Sequence, residues 1–446
     1  MTTLVTQPAT DIPPLPIPTT LFQRGAGRFW MAVACTGIGT GVGAIVLTRL
    51  LQVVQHYAWP GAGLSLLDAA SQASPWRHIL VLLIAGVLTA LGQLVLVRLQ
   101  SGNGIDITEA IAFSAGRLPP LRTMVSAVLS VIDVGLGVSL GREAAPKQAG
   151  AVLANLMSDR VSLSDEERRL LVACGAGAGM AAAYGVPLGG ALFALEVMRG
   201  ALALRMVLPA LFTSLIATAV SWLGLPDAPT YPLPSYVNSA SVTCWALLAG
   251  PVAGVVAVVY VRAIAWADRN KPRGWYRFAA PPIVLGALGV ASIKFPELLG
   301  NGKDIAELAF ANKLGLSMLM TLLVLKPLAT VLCLQSGTPG GLFTPSLALG
   351  ALLGALLGQG WSSFWPGAPP GLFAVVGATA VVAATTQGPI SAVVLMMELT
   401  GRDRSFIVPL LLAVATATLV ARSFEVRSIY DARLTDEQVI ARRRAP

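Results

Sequence analysis

Residues 184–197 read YGVPLGGALFALEV, and residues 386–399 read TQGPISAVVLMMEL. In both stretches a proline precedes a glutamate by nine residues (196 − 187 and 398 − 389). The offset between the two copies is 202 residues (389 − 187). The matched pairs are Pro187 with Glu196 and Pro389 with Glu398. A glutamate at a fixed distance behind a helix-starting proline, found twice, is the first sign of an internal repeat.

The match extends upstream of these stretches at nearly the same offset. GAGAGMAAAYG (175–185) aligns with GATAVVAATTQ (377–387), and GREAAP (141–146) aligns with GGLFTP (340–345). Several matches in one order are rare by chance. The sequence therefore predicts two homologous halves.

The composition places the chain in a membrane. Of its 446 residues 55% are hydrophobic and 12% are charged, and the mean hydropathy is +0.72. A soluble domain carries about 25% charged residues, and about 20 apolar residues span a bilayer as a helix. Stretches of that length are 29–55, 79–99, 205–224, 241–266 and 404–421. Shorter apolar stretches, broken by glycine or proline, are 121–140, 148–157, 170–183, 187–198, 344–358 and 370–384.

Short, interrupted apolar segments and a duplication together predict an all-α polytopic membrane protein with an inverted repeat of tilted and broken helices. In such proteins the substrate site lies near the midplane, where broken helices of both halves meet. We predict four parts of the chain. They are a disordered cytoplasmic tail (1–24), the first half of the membrane domain (25–235), its second half (236–434) and a short basic cytoplasmic tail (435–446).

The net charge of +9 comes from residues at the ends of apolar segments, not from a basic stripe with interleaved aromatics. This pattern excludes nucleic acid as the expected partner and favours the lipid bilayer. The flanking arginines are Arg24, Arg28, Arg427, Arg433 and Arg442–Arg444. They predict an integral protein of the cytoplasmic (plasma) membrane with both termini in the cytoplasm. The basic segment ADRNKPRGWYR (267–277) conflicts with this rule, because inversion of the halves is expected to place the central linker on the outer face.

Three glycine-rich motifs interrupt apolar segments: GNGID (102–106), GREAAP (141–146) and GGLFTP (340–345). Each precedes a helix-like run, so each is a candidate helix N-terminus inside the membrane. Free N–H groups and the positive end of the helix dipole bind anions at such a terminus, and glycine lets the backbone approach the ion. A tight turn between short helices is the alternative for any single motif. Three motifs, two of them at equivalent repeat positions, favour a shared anion site.

With these motifs the chain resembles the CLC family of chloride channels and proton-coupled anion transporters, from about Arg28 to Leu434. GNGID is similar to the family's GSGIP, GREAAP to GREGP, GGLFTP to GxFxP, and SIYDARL (428–434) to the segment that carries the pore tyrosine. The resemblance implies a CLC-type fold and a homodimer with one pore per subunit. It also implies an inorganic anion, chloride or fluoride, as the transported species, with or without coupled protons.

The resemblance further implies roles for individual residues. Glu143 matches the gating glutamate, whose carboxylate competes with the anion and swings away when protonated; a structural ion pair with Arg142 is the alternative. Arg142 itself is expected to pair with Glu109. The hydroxyl of Tyr430 is expected at the central site, with a plain interfacial aromatic as the alternative. The residues assigned to the anion site are Asn103, Gly104, Gly141, Arg142, Gly341, Leu342, Phe343 and Tyr430.

The chain departs from the family pattern at several positions. Asn103 replaces the central serine, and although its amide can still donate to an anion, the position tunes selectivity, so chloride cannot be assumed. Val197 stands where the inner proton glutamate is expected, and valine cannot relay a proton. Glu196, about 100° away around a helix, and its repeat mate Glu398 are expected to be structural buried carboxylates. Three further departures are Ala144 and Ala145, which replace Gly-Pro, and Asp106, which replaces proline.

Lys147 follows Glu143 by four residues, which is the favourable order for an ion pair on one helix. We predict a modulating role, in which Lys147 adds positive potential near the pore and favours the ionised gate. A snorkelling lysine in a water-filled vestibule is the alternative.

The sequence therefore predicts a transporter or channel rather than an enzyme. Chloride is favoured by the family, carried by a channel or by an anion/proton exchanger; Asn103, Val197 and the altered GREGP make a fluoride/proton antiporter for fluoride export the alternative. An intramembrane enzyme is a remote alternative, because it needs paired catalytic groups and only Asp133 and scattered carboxylates occur in apolar runs. A scaffolding protein would not require glycine-rich helix starts with an intramembrane glutamate. Four scattered cysteines and two histidines predict no disulfide framework, no metal site and no cofactor.

Overall fold

The computed structural model describes residues 17–18, 23, 25–61, 65–99, 105–233, 239–401, 406–425, 427–432 and 434–444. Within these ranges the chain forms eighteen α-helices. They are α1 (Ala26–Ala58), α2 (Leu66–Ser71), α3 (Pro75–Arg98), α4 (Ile107–Phe113), α5 (Pro120–Gly135), α6 (Ala144–Arg160), α7 (Asp165–Tyr184), α8 (Pro187–Phe193), α9 (Leu204–Ser221), α10 (Ala240–Arg269), α11 (Tyr276–Lys294), α12 (Lys303–Phe310), α13 (Leu316–Gln335), α14 (Phe343–Ser362), α15 (Pro370–Thr386), α16 (Pro389–Thr400), α17 (Ile407–Phe424) and α18 (Asp436–Arg444). A π-helical segment (Ala194–Arg199) continues α8, and two 3₁₀ segments are Pro296–Leu298 and Ile429–Asp431.

Eight helices in the described part of the chain are long and apolar enough to cross a membrane. Each of the five long apolar stretches predicted from the sequence overlaps one of them, so the predicted all-α membrane architecture is confirmed. The sequence analysis missed α11 and α13, because prolines interrupt the apolar pattern of both helices and Lys326 lies within α13. That lysine is buried, and its Nζ donates to the carbonyl oxygens of Leu298 and Gly300, each at 2.8 Å. Backbone carbonyl groups thus stabilise a lysine that, from the sequence alone, is not expected inside a membrane-spanning helix.

Two reciprocal helix caps join the first half of the chain to the second. The carboxylate of Glu196, behind α8, accepts hydrogen bonds from two amides at the start of α16, at 3.1 and 2.6 Å. The carboxylate of Glu398, within α16, accepts hydrogen bonds from two amides at the start of α8, at 3.0 and 2.6 Å. The four donors are Ile390, Ser391, Leu188 and Gly189. The structural role predicted for both carboxylates is confirmed, but both residues are half-buried rather than buried. The donors of the two caps are equivalent positions of the repeat.

A second contact between the halves joins the two glycine-rich motifs that align in the repeat. Gly141 and Gly341 form an isolated antiparallel bridge, in which each amide donates to the other's carbonyl oxygen at 2.7 Å. The bridge sets the N-terminal ends of α6 and α14 side by side. Because these ends carry the positive poles of both helix dipoles, the bridge creates a region that attracts anions.

The basic segment 267–277 lies at the C-terminal end of α10, not in the linker between the halves. That linker follows α9, which ends at Ser221, and α10 then runs for 30 residues from Ala240 to Arg269. Asp268, at the end of α10, lines the same cavity as Tyr430. The expectation that this segment is the linker between the halves was therefore wrong. The conflict with the positive-inside rule depended on that assignment.

The reciprocal caps can be tested by removing one acceptor. Replacing Glu398 by methionine leaves two amide N–H groups of α8 without an acceptor in apolar surroundings, so we expect the free energy of unfolding to fall by about 1–3 kcal/mol. Thermal unfolding of the detergent-solubilised protein, followed by size-exclusion chromatography, measures the change. We expect the same loss for Glu196→Met.

Glu437, exposed on α18, offers a matched control. Glu437→Met should leave the unfolding midpoint unchanged. Equal midpoints for the wild type and both capping variants would show that the caps do not stabilise the fold.

Candidate anion site

The carboxylate of Glu143 occupies the N-terminal end of α14. Glu143 is the residue immediately before α6 and is fully buried. Its Oε1 accepts the N–H of Phe343 at 2.6 Å, and its Oε2 accepts the hydroxyls of Thr344 at 3.1 Å and Tyr184 at 3.4 Å. A helix N-terminus binds a negative charge through its free N–H groups and its dipole. The carboxylate therefore stands where a free anion would bind.

Two glycines make room for this carboxylate. A Cβ added at Gly141 would lie 2.2 Å from Oε2 of Glu143, and one added at Gly341 would lie 2.2 Å from Oε1. No carbon approaches oxygen so closely without displacement. Both bridge positions must therefore be glycine, because a side chain at either one would displace the Glu143 carboxylate from the start of α14.

A cavity of about 110 Å³ lies on the Tyr430 side of the bridge. Gly341, Leu342, Tyr430 and Lys147 line it. Among the described residues, nothing accepts a hydrogen bond from the Leu342 N–H, whereas the next amide, that of Phe343, is held by Glu143. The cavity thus holds an unused amide donor and a phenol at one end of α14.

The segment that contains Tyr430 is held by an internal cap and by contacts with two other helices. It lies in the 3₁₀ segment that begins after Ser428, whose side chain and that of Asp431 cap each other's backbone amides. The hydroxyl of Thr108, on α4, donates to the carbonyl oxygen of Tyr430 at 3.1 Å. Arg442 of α18 forms an ion pair with Asp431. The backbone that carries the phenol is therefore held from both flanks.

Lys147 does not form the predicted ion pair with Glu143. The Glu143 carboxylate is held on α14, and the Lys147 ammonium instead donates to the hydroxyl oxygen of Tyr430 at 3.4 Å. Its Nζ lies 4.4 Å from the centroid of the Tyr430 ring and 5.4 Å from that of Phe193. The side chain is 5% exposed. The charged end therefore lies inside the protein beside the cavity.

The predicted ion pair of Arg142 with Glu109 is absent from the described part of the structure. The guanidinium of Arg142 lies over the ring of Tyr184, 4.9 Å from its centroid. Glu109 belongs to α4, whose first turn borders the cavity near Tyr430, while Arg142 is not part of that lining. Arg142 thus packs on α7 instead of pairing with α4, a contact that motif spacing does not reveal.

Val197 is buried in the π-helical segment and offers no acid to the cavity. Nη2 of Arg442 donates to the carbonyl oxygens of Val197 at 2.8 Å and Met198 at 2.9 Å. Glu196, the neighbouring acid, is engaged with α16. In the described structure a guanidinium therefore lies beside the backbone of the position where the family resemblance predicts a glutamate.

Asn103 and Gly104 lie outside the described residues. The described chain resumes at residue 105, and Asp106 forms the N-cap of α4, with its side chain accepting the N–H of Glu109 at 3.0 Å. Replacement of the family's proline by aspartate at this position therefore caps a helix.

Sequence reasoning missed three participants: Tyr184, Thr344 and Arg442. Thr344 stands within the quoted motif GGLFTP, and Tyr184 begins the repeated stretch YGVPLGG, so both had a positional signal. Arg442 had none, because its partners are backbone carbonyl groups and an aspartate that only folding brings near.

The described site is thus a buried carboxylate on a helix start, with a cavity behind it. A family model described as "Voltage gated chloride channel" matches residues 94–422. The chain belongs to this family. A ClcB-like protein of Ralstonia nicotianae is 31% identical over 417 residues, which cover 89% of this chain and 95% of the relative. Because the family consists of transport proteins, the prediction of a channel or transporter rather than an enzyme is confirmed.

Two solved structures share the fold of this CLC chain. The structure of a slow cyanobacterial Cl⁻/H⁺ antiporter matches with a TM-score of 0.79 and 24% identity, covering 93% of this chain and 98% of that chain. The structure of a CLC-type fluoride/proton antiporter matches with a TM-score of 0.75 and 24% identity, covering 91% and 98%. These matches confirm the predicted CLC-type architecture of inverted, broken helices.

The glycine at position 341 gives a test of the carboxylate position. Gly341→Ala brings a Cβ against the Glu143 side chain, so we expect a loss of about 1–3 kcal/mol in the free energy of unfolding, as for overpacking of a core. In a Glu143→Ala background the clashing atoms are absent, and the loss should largely disappear. Thermal unfolding of the four proteins in detergent measures the coupling.

Gly360→Ala is the control, because it lies on the same helix and nothing would lie within 4 Å of its added Cβ. An equal loss from Gly341→Ala in both backgrounds would mean that the glycine does not serve the carboxylate.

Proposed function

We propose that the protein moves small inorganic anions, with chloride as the favoured ion, through a pore in each subunit of a homodimer. The observation that carries this proposal is the Glu143 carboxylate on the Phe343 amide, at 2.6 Å. A side chain that occupies a built anion position is a gate, because the ion and the carboxylate cannot occupy it together. Family membership supports the same function.

The gate works through its charge. Ionised Glu143 is attracted to the start of α14 and blocks it. Protonation removes that attraction, so the side chain leaves and the anion takes over the donors that it released. Those donors are the Phe343 amide and the hydroxyls of Thr344 and Tyr184.

The remaining site residues take supporting roles in the proposal. The Leu342 amide and the Tyr430 hydroxyl hold the anion in the cavity behind the gate, and Gly141 and Gly341 keep the space open. Arg142, over Tyr184, supplies positive potential beside the gate. Asn103 and Gly104, which precede α4 in the sequence, remain assigned to the anion site as the family resemblance implies. The termini and the basic segment 267–277 lie on the cytoplasmic side, according to the positive-inside rule.

Exchange of protons for anions and passive conduction remain two forms of this function. Val197 removes the acid of the inner proton path, as the sequence shows, which favours either a channel or an exchanger with a different path. Fluoride/proton antiport is the second candidate, because Asn103 and Val197 depart from the family pattern together. A fluoride/proton antiporter and a chloride/proton antiporter match the fold about equally well, with TM-scores of 0.75 and 0.79.

Anion flux in proteoliposomes distinguishes these forms. Vesicles loaded with chloride or fluoride are placed in a proton gradient, and external anion and pH are followed with ion-selective electrodes. Uphill anion movement driven by protons identifies an exchanger; strictly downhill movement identifies a channel. The ratio of chloride to fluoride rates in the same vesicles gives the selectivity. Absence of flux for either ion would refute the proposal.

The gate assignment predicts the behaviour of Glu143→Gln. Wild-type flux should rise as pH falls, because protonation releases the side chain. Glutamine mimics the protonated state, so the variant should show a flux that does not change with pH and that equals or exceeds the wild-type rate at low pH. The measurement is the rate of downhill anion efflux over a series of acidic to neutral pH values.

Glu437→Gln on the exposed face of α18 is the matched control and should retain the wild-type pH profile. A Glu143→Gln variant that keeps the wild-type profile would exclude Glu143 as the gate.

A further inference from the structure

Lys147 is a buried cation without a carboxylate partner. Only 5% of the residue is exposed, and in the described chain no aspartate or glutamate lies within ion-pair distance of its Nζ. Its single hydrogen bond goes to the hydroxyl oxygen of Tyr430. Burial of a charge costs several kcal/mol unless an opposite charge compensates it. The described residues therefore provide no direct counter-charge for Lys147.

The carboxylates whose charges act on Lys147 already bind other groups. Glu143 and Asp106 are the carboxylates whose charges act on Lys147. Glu143 is held on the start of α14, and Asp106 caps α4 and accepts the Thr108 hydroxyl at 2.5 Å. Asp268, which lines the same cavity from α10, forms an ion pair with Lys271. None of them neutralises the ammonium directly.

The cavity beside Lys147 has the donors of an anion site. It is bordered by Lys147, Tyr430 and Leu342, whose amide is unused within the described structure. An ammonium has three N–H donors, of which one is directed at Tyr430. Because that bond fills a lone pair of the phenol oxygen, the phenol proton is free to donate to a third group. Ammonium, phenol and amide can thus all donate to one ion.

We propose that Lys147 is a direct ligand of the transported anion and that this anion is its counter-charge. The inference rests on the proposed function and deepens it. The site it describes is a small monovalent inorganic anion held in the cavity by the Lys147 ammonium, the Tyr430 hydroxyl and the Leu342 amide. The occupied cavity is electrically balanced, whereas the empty one carries an uncompensated positive charge. Lys147 therefore acts on the ion itself and not through the gate.

Anion binding to the purified full-length protein tests this role. Isothermal titration with sodium chloride and with sodium fluoride is carried out on wild type, Lys147→Met and Lys147→Arg. We expect Lys147→Met to weaken binding by about 10- to 100-fold, as for loss of a charged hydrogen-bond partner, and Lys147→Arg to keep most of the affinity. Lys294→Met, at the exposed end of α11, is the matched control and should bind like wild type.

Repeating the titration in a Glu143→Gln background separates a ligand from a modulator of the gate. A direct ligand weakens binding in both backgrounds when it is replaced by methionine. Weakening only where Glu143 is intact would overturn the proposal, because Lys147 would then act through the gate. Unchanged affinity of Lys147→Met in both backgrounds would overturn it as well.

Size-exclusion chromatography shows whether each variant is folded, and Lys147→Gln replaces Lys147→Met if the latter aggregates. If neither wild type nor Glu143→Gln binds or transports an anion, the proposed function fails and the role of Lys147 fails with it. Anion transport by wild type together with an unaffected Lys147→Met refutes the role of Lys147 alone.

Discussion

Every helix that begins inside the membrane must find acceptors for its first N–H groups, because the hydrocarbon offers none. This chain meets the constraint with carboxylates from elsewhere in the sequence. Glu196 caps α16, Glu398 caps α8, and Glu143 caps α14. Three helices that start inside the chain's apolar core thus have their first amides satisfied by distant acids.

The three capping glutamates differ in their hydrogen-bond donors and in their distance from the cavity. We assign two of them a structural role and propose a transport role for the third. Glu196 and Glu398 each accept two backbone amides, and neither lines the cavity beside Tyr430. Glu143 accepts one amide and two hydroxyls, with an ion-sized cavity next to its helix start. Hydroxyls rotate, so they can serve a departing carboxylate and an arriving ion alike. In the proposed gating, the same chemical device is permanent at two positions and replaceable at the third.

Much of this arrangement could be predicted from the sequence, because it depends on patterns along the chain. The repeat predicted two halves, the glycine-rich motifs predicted helix starts, and Glu143 stood in one of them. The failures concern contacts between distant segments. Arg142 was assigned to Glu109 but packs on Tyr184, and Lys147 was paired with Glu143 but contacts Tyr430. Spacing along one helix shows which side chains are neighbours on that helix. It does not show which of them instead contact a residue on another segment.

The reciprocal caps also impose an order in time. Glu398 lies 209 residues after Gly189, the amide that it accepts. During synthesis, α8 therefore enters the membrane long before its acceptor has been translated. Until then its first amides must be satisfied by water, lipid headgroups or the insertion machinery. The first half cannot reach its final structure alone, and completion of the second half is the event that releases it from those temporary partners.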